Sequence, residues 1–270
     1  MAFESTALFN AISGVTMLES AGIIAGLLQI AGYIDYYRKV VAGEVDPNPL
    51  SWFMFAYGTF FLLILEWDAG ASTAMMALPA ACTLGSLLLA FNIWRKNYRV
   101  TKQLWPQSWR ITYDEDGKSF MIDLVLTASY LVAGALASVN LWNLFGASTP
   151  LSAHDRQIAA LWVLIASNIS TFPGFGPIIR ATKDDATKEH YRPWALWTAA
   201  YLVLLGVTWV DTSVSRTPES LDPLTWDLEY WSWLTLMFYP ASCAYLHGRV
   251  SWLARPAAQK RHRETRLAVA

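Results

Sequence analysis

Seven stretches of about 18 to 25 residues in this chain are apolar and nearly free of charge, with the charged residues crowded between them. They lie at 17–37, 49–66, 71–94, 119–140, 157–179, 193–210 and 231–251. A helix needs roughly 20 apolar residues to cross the hydrocarbon core. In lipid every backbone polar group must be satisfied within the protein, so each stretch is expected to be a helix. A barrel would need alternating segments of about 10 residues, and these runs are longer and continuous. Seven spans use up most of 270 residues and leave no room for a large soluble domain.

The basic residues orient the spans. Arg38 and Lys39 follow the first. Arg95, Lys96, Arg99, Lys102, Arg110 and Lys118 follow the third, and Arg180, Lys183, Lys188 and Arg192 the fifth. Arg249, Arg255, Lys260, Arg261, Arg263 and Arg266 end the chain. Only Arg156 and Arg216 of the 20 Lys and Arg fall in even-numbered connections. Lys and Arg are retained on the cytoplasmic side, whereas Asp and Glu contribute little. The acids, ten to each side with Asp123 inside a span, behave as that rule requires. The expectation is a multi-pass protein of the cell membrane, N-terminus outside and C-terminus in the cytoplasm. No basic residue precedes the first apolar run, which argues against a cleavable signal peptide.

Composition supports the bilayer as a partner and removes other classes. Charged residues make up 15% of the chain against about 25% in soluble domains. The 14 Trp and 12 Tyr suit the two interfaces. A net charge of -1 gives no support for nucleic acid. Cys82 and Cys243 both lie in apolar stretches, so no disulfide framework is expected. No metal-ligand cluster, nucleophile elbow, P-loop or dinucleotide fingerprint appears, so neither an enzyme nor a cofactor is expected.

The chain also repeats. Ser51-Trp52-Phe53-Met54-Phe55 opens the second span and Pro193-Trp194-Ala195-Leu196-Trp197 the sixth, 142 positions on. The same offset carries Gly32 onto Gly174 and Arg38 onto Arg180. Pro79-Ala80-Ala81-Cys82 in the third span matches Pro240-Ala241-Ser242-Cys243 in the seventh at offset 161. The 19 extra residues sit in the acidic sixth connection. Spans 1–3 therefore pair with spans 5–7, and the odd linker makes the triplets parallel. The expected units are a first three-helix bundle at 1–95 and a cytoplasmic loop plus linker helix at 96–156. A second bundle at 157–254 and a basic cytoplasmic tail at 255–270 follow.

Three helices, one linker and three helices, N-terminus out, resembles the SWEET (MtN3) sugar transporters and their PQ-loop relatives. Thr171-Phe172-Pro173-Gly174-Phe175-Gly176-Pro177 looks like the family's proline-bearing fifth helix. Arg180 and Lys183 look like its basic loop, and Glu189 with Pro193-Trp194 like the helix opening after it. Arg38, Lys39, Pro49 and Ser51-Trp52 stand in the corresponding places of the first half, although Gly32 to Lys39 holds no proline. The only Pro-Gln pair, Pro106-Gln107, lies in a soluble connection. The resemblance implies ATP-independent alternating access for a small polar solute, sugars first, between the two bundles. Facilitators of the nicotinamide-riboside type share two three-helix bundles around a linker. Helix order separates the two, since SWEET-like bundles place the third helix between the first and second. A non-transporting receptor or assembly protein on the same scaffold is a third reading. Seven helices can enclose a path alone, so a homo-oligomer would serve stability or regulation.

The candidate residues follow from cost and position. Asn168 puts an amide in the fifth span, as a solute contact or as helix–helix glue. Gln29 and Asn92 are further polar candidates. Trp52, Trp194 and Trp197 sit near the basic ends of their helices, with Tyr57 and Tyr201 one or two turns deeper. They form either an interfacial belt or paired aromatic platforms that close a gate or stack on a ligand. Pro79, Pro173, Pro177 and Pro240 are hinges or static kinks. Asp123, Asp35 and Glu66 lie near span ends and are expected to snorkel to water.

Overall fold

The structure is a computed structural model. It describes residues 2–45, 47, 49–68, 71–102, 153–214 and 228–269, and scattered positions between 118 and 132. Among the described residues all regular structure is helical. The helices are α1 (Ala2–Ala42), α2 (Pro49–Asp68), α3 (Thr73–Thr101), α4 (Ala153–Asp184), α5 (Tyr191–Val214) and α6 (Leu228–Val269). They contain six of the seven apolar stretches. The fourth, with Asp123, lies largely outside the described residues; Met121, Ile122, Leu124, Val125 and Val132 within it are helical and exposed.

Local chemistry sets the helix ends. Pro49 takes the first position of α2, where a missing N–H costs nothing. Ser72 caps α3, its hydroxyl accepting from the Met75 amide. Lys102 ends α3 in the left-handed region at φ 57°, its N–H donating to Tyr98 O. The basic segment 255–270, expected as a tail, is helical through Val269. Ala257, Ala258, Gln259, Lys260 and Arg261 are all good helix formers and extend α6 past Pro256.

The helix surfaces carry apolar stripes that a water-soluble bundle would bury. Ile23, Leu27, Ile30 and Ile34 form an exposed apolar stripe along α1, and Leu84, Leu87, Leu88 and Phe91 do so on α3. Gln29, Ser86, Asn168, Thr208, Thr235 and His247 are buried inside. That distribution suits hydrocarbon outside and an interior that holds polar side chains among apolar ones. Three helical segments among the described residues, Met17–Ala42, Thr73–Lys96 and Tyr191–Asp211, are long and apolar enough to span a bilayer, and Ser51–Ile64 is a shorter apolar run. The chain is thus an all-α protein with the helices of a multi-pass membrane protein.

Helix directions follow from paired contacts. Gly22 lies against Ala74, Gly26 against Ala77 and Gly85 against Tyr33, so α1 and α3 run the same way in close contact. The spacing Gly22-x-x-x-Gly26 removes the side chains that would hold the backbones apart. α4 and α6 likewise run together, with Asn168 opposite Thr235 and Phe175 opposite His247. α2 and α5 run against them: Trp52 and Trp194 at their starts meet Tyr36 near the end of α1, and Asp211 near the end of α5 meets Ser72 before α3. α3 packs on both α1 and α2, and α6 on both α4 and α5. The third helix of each triplet therefore lies between the first and second. The halves join through α1 on α5 and α2 on α4, contacts that the repeat exchanges. α3 and α4 therefore point the same way.

Candidate functional site

A cavity of about 50 Å³ lies between the halves, and all six helices line it. α1 contributes Tyr33, and α2 contributes Trp52, Phe55, Thr59 and Leu62. Cys82 and Ser86 come from α3. From the second half come Thr171, Gly174 and Phe175 of α4, Trp194, Trp197 and Tyr201 of α5, and Tyr239, Cys243 and His247 of α6. A water occupies about 10–15 Å³ by this kind of measure, so the space holds a few waters and no more.

Two apolar clusters flank it. At the end carrying Trp52 and Trp194, the cluster holds Tyr36, Trp52, Phe175, Ile178, Trp194, Trp197 and Val250. At the other end Leu62, Met75, Leu78, Leu204, Val207 and Leu236 meet. Between them runs a layer of hydroxyls and thiols. Tyr33 Oη lies 2.6 Å from Ser86 Oγ and donates to Cys82 O at 3.2 Å. Tyr201 Oη lies 3.0 Å from Tyr239 Oη and donates to Cys82 Sγ at 3.6 Å. His247 Nδ1 lies 2.7 Å from Cys243 O.

The repeat reappears as contacts. A Cβ on Gly32 would fall 2.2 Å from Trp197 Nε1, and one on Gly174 would fall 3.3 Å from Phe55 Cε1. Gly32 and Gly174 are 142 apart, as are Phe55 and Trp197. Each half presents a bare glycine to an aromatic ring of the other, so both lean on the cavity through equivalent contacts. Tyr33 on Cys82 and Ser86 corresponds likewise to Phe175 on His247.

A buried carboxylate ties one end. Glu189, in the turn between α4 and α5, is 2% exposed. It accepts from Trp194 Nε1 at 2.9 Å and from Tyr36 Oη at 3.0 Å, and Tyr36 Oη accepts from Trp52 Nε1 at 3.3 Å. This chain crosses from the second half to the first. Trp197 adds another crossing by donating to Gln29 O at 3.0 Å.

Of the residues singled out in the sequence, Trp52, Trp194, Trp197 and Tyr201 come together on the cavity. Gln29 is buried behind it, beside Tyr33 and Cys82. Asn168 is fully buried, but its amide donates to Thr235 O at 3.4 Å and joins α4 to α6 off the cavity wall; Thr171, three residues on, does face the cavity. Tyr57 packs against Phe53 in an outer groove with Phe60 and Phe91. Asn92 returns its amide to Leu88 O in another outer groove, between α1 and α3. Pro79, Pro173, Pro177 and Pro240 all lie inside continuous helices. Thr83 Oγ1 donates to the carbonyl of Pro79.

Glu66, expected to snorkel, is instead buried at 5% exposure, with Oε2 lacking a hydrogen-bond partner. It falls four residues after Leu62 on the α2 face that carries Phe55 and Thr59, and the helical period points it inward. The repeat itself could have found one of the residues missed, since Phe55 is the mate of Trp197. Nothing in the sequence marked Glu189 as buried.

Comparison with protein families, curated proteins and solved structures returns no match to this chain.

Proposed function

We propose that this chain is a transporter that moves a small polar solute across the cell membrane by alternating access, without ATP. The observation that carries the reading is the cavity between two like-oriented triplets, lined by every described helix and flanked by two separate apolar clusters. A solute site at the interface of repeats, near mid-membrane, is the arrangement of repeat-built secondary transporters. Equivalent glycine–aromatic contacts on the two sides favour it further, because two similar bundles rocking about a shared contact have outward and inward states of similar energy.

The chain reads as seven spans, N-terminus outside. The return path between α3 and α4 calls for a further crossing, and backbone can cross lipid only as helix. The third-helix-in-the-middle order favours the SWEET and PQ-loop resemblance over the nicotinamide-riboside type, which keeps sequential order. That resemblance puts sugars first. The test is uptake by purified protein in proteoliposomes across sugars, nucleosides, nucleobases and amino acids. Saturable flux of one of these is expected, and absence of flux for all of them would favour a receptor or assembly role instead.

A further inference from the structure

The middle of a bilayer is where an unsatisfied polar group costs most, because no water reaches it. Gln29 stands at the midpoint of the apolar segment Met17–Ala42, and Tyr201 at that of Tyr191–Asp211. Cys82 and Ser86 straddle the midpoint of Thr73–Lys96. The hydroxyls and thiols at this level satisfy one another, Tyr33 with Ser86, and Tyr201 with Tyr239 and Cys82. Gln29 does not share in that arrangement. It is 1% exposed, and neither its amide nitrogen nor its side-chain oxygen has a hydrogen-bond partner. A carboxamide that joined helices would be bonded across to one of them. A carboxamide that only filled the core would be bettered by an apolar side chain of the same size.

The group also stands in the right place. Gln29 lies one turn before Tyr33 on the same face of α1, and its side chain is beside Tyr33 and Cys82, which both line the cavity. The 142-residue offset carries Gln29 onto Thr171, which lines the cavity from α4. Trp197 of the opposite half reaches across to donate to the Gln29 backbone carbonyl, so parting the halves uncovers this turn of α1. A carboxamide offers an N–H donor beside a carbonyl acceptor. Its complement is a solute edge with an acceptor next to a donor: two neighbouring hydroxyls, or an amide N–H next to its own C=O.

Resting on the transport reading above, we propose that Gln29 is the solute's hydrogen-bonding anchor, and that the solute presents a donor beside an acceptor which pairs with this carboxamide when the halves part. Glucose and uracil carry the two forms of that edge, and permethylated glucose and N,N′-dimethyluracil are the same rings with their donors capped. Binding by thermal shift and counterflow are measured on the full chain in detergent and in proteoliposomes. Glucose or uracil is expected to bind and exchange, with its capped analogue weaker by about tenfold or more. Gln29→Met keeps the length of the side chain without its amide. It should leave the melting midpoint of the solute-free protein equal or higher, and weaken the uncapped solute by about tenfold or more, towards its analogue. Gln29→Asn keeps both polar ends and should still prefer the uncapped solute. An unaltered affinity or a lower midpoint in Gln29→Met would make the amide a packing group and overturn the inference. Equal handling of a solute and its capped analogue, or flux of amino acids alone, would overturn it too while leaving transport standing. No flux and no binding for any solute tested would remove both readings.

Discussion

Adding one methyl group at each of the two glycines tests how the halves meet. At Gly32 the new Cβ would sit 2.2 Å from Trp197 Nε1 and 2.6 Å from its Cδ1. That indole is fully buried, wedged against Tyr33 at 5.0 Å and Tyr36 at 5.6 Å, and its N–H is held by Gln29 O. It cannot withdraw without giving up the bond and disturbing those rings. Overpacking of this kind costs about 1–3 kcal/mol, and the lost hydrogen bond about 1 kcal/mol. Helix propensity returns about 1 kcal/mol for Gly→Ala. Gly32→Ala should therefore destabilise the protein by about 2 kcal/mol. At Gly174 the nearest atom is 3.3 Å away, on the edge of a half-buried Phe55 ring that needs to give only a few tenths of an ångström. There the propensity gain offsets the crowding, and Gly174→Ala should fall within about 0.5 kcal/mol of the parent. Reversible denaturant titration of both variants in detergent micelles, followed by circular dichroism, measures the difference. Equal costs, or a larger cost at Gly174, would refute the packing described for the interface.

Glu189→Ala leaves the Tyr36 hydroxyl and Trp194 N–H without their shared acceptor. It should cost about 2 kcal/mol and speed maleimide modification of Cys82, and an unchanged labelling rate would mean the carboxylate does not hold the halves together. Glu66→Leu replaces a buried carboxyl that has one unpartnered oxygen, so it should be neutral or stabilising in thermal melts; a loss above about 2 kcal/mol would reveal a partner essential to the fold. Asn168→Ala removes one long bond between α4 and α6, and should lower stability by about 1 kcal/mol without altering solute preference, as measured by competition in proteoliposomes. Introduced cysteines at 96–118 should react with impermeant reagents only from the cytoplasmic side and those at 211–229 only from outside, and the opposite pattern would reverse the orientation.

Because each depends on local sequence and on how a chain meets a bilayer, hydrophobic spacing and the 142-residue offset located the six described helices and the likeness of Trp52 to Trp194, though not how far α1 and α6 run beyond their apolar stretches. They also picked out Trp52, Trp194, Trp197 and Tyr201. What tertiary structure alone decided was which side of each helix faces inward. Glu66 and Asn92 lie near the ends of apolar stretches and look alike in sequence, yet one is buried on the cavity side of α2 and the other lies in an outer groove. Asn168 misses the cavity that Thr171 reaches three residues later. Glu189 reads as one more charge in a basic turn until Tyr36, 153 residues away, closes on it. The rotation of a helix about its own axis is set by neighbours distant in the chain, here by a glycine on one half receiving a ring from the other, and no single stretch of sequence contains both partners.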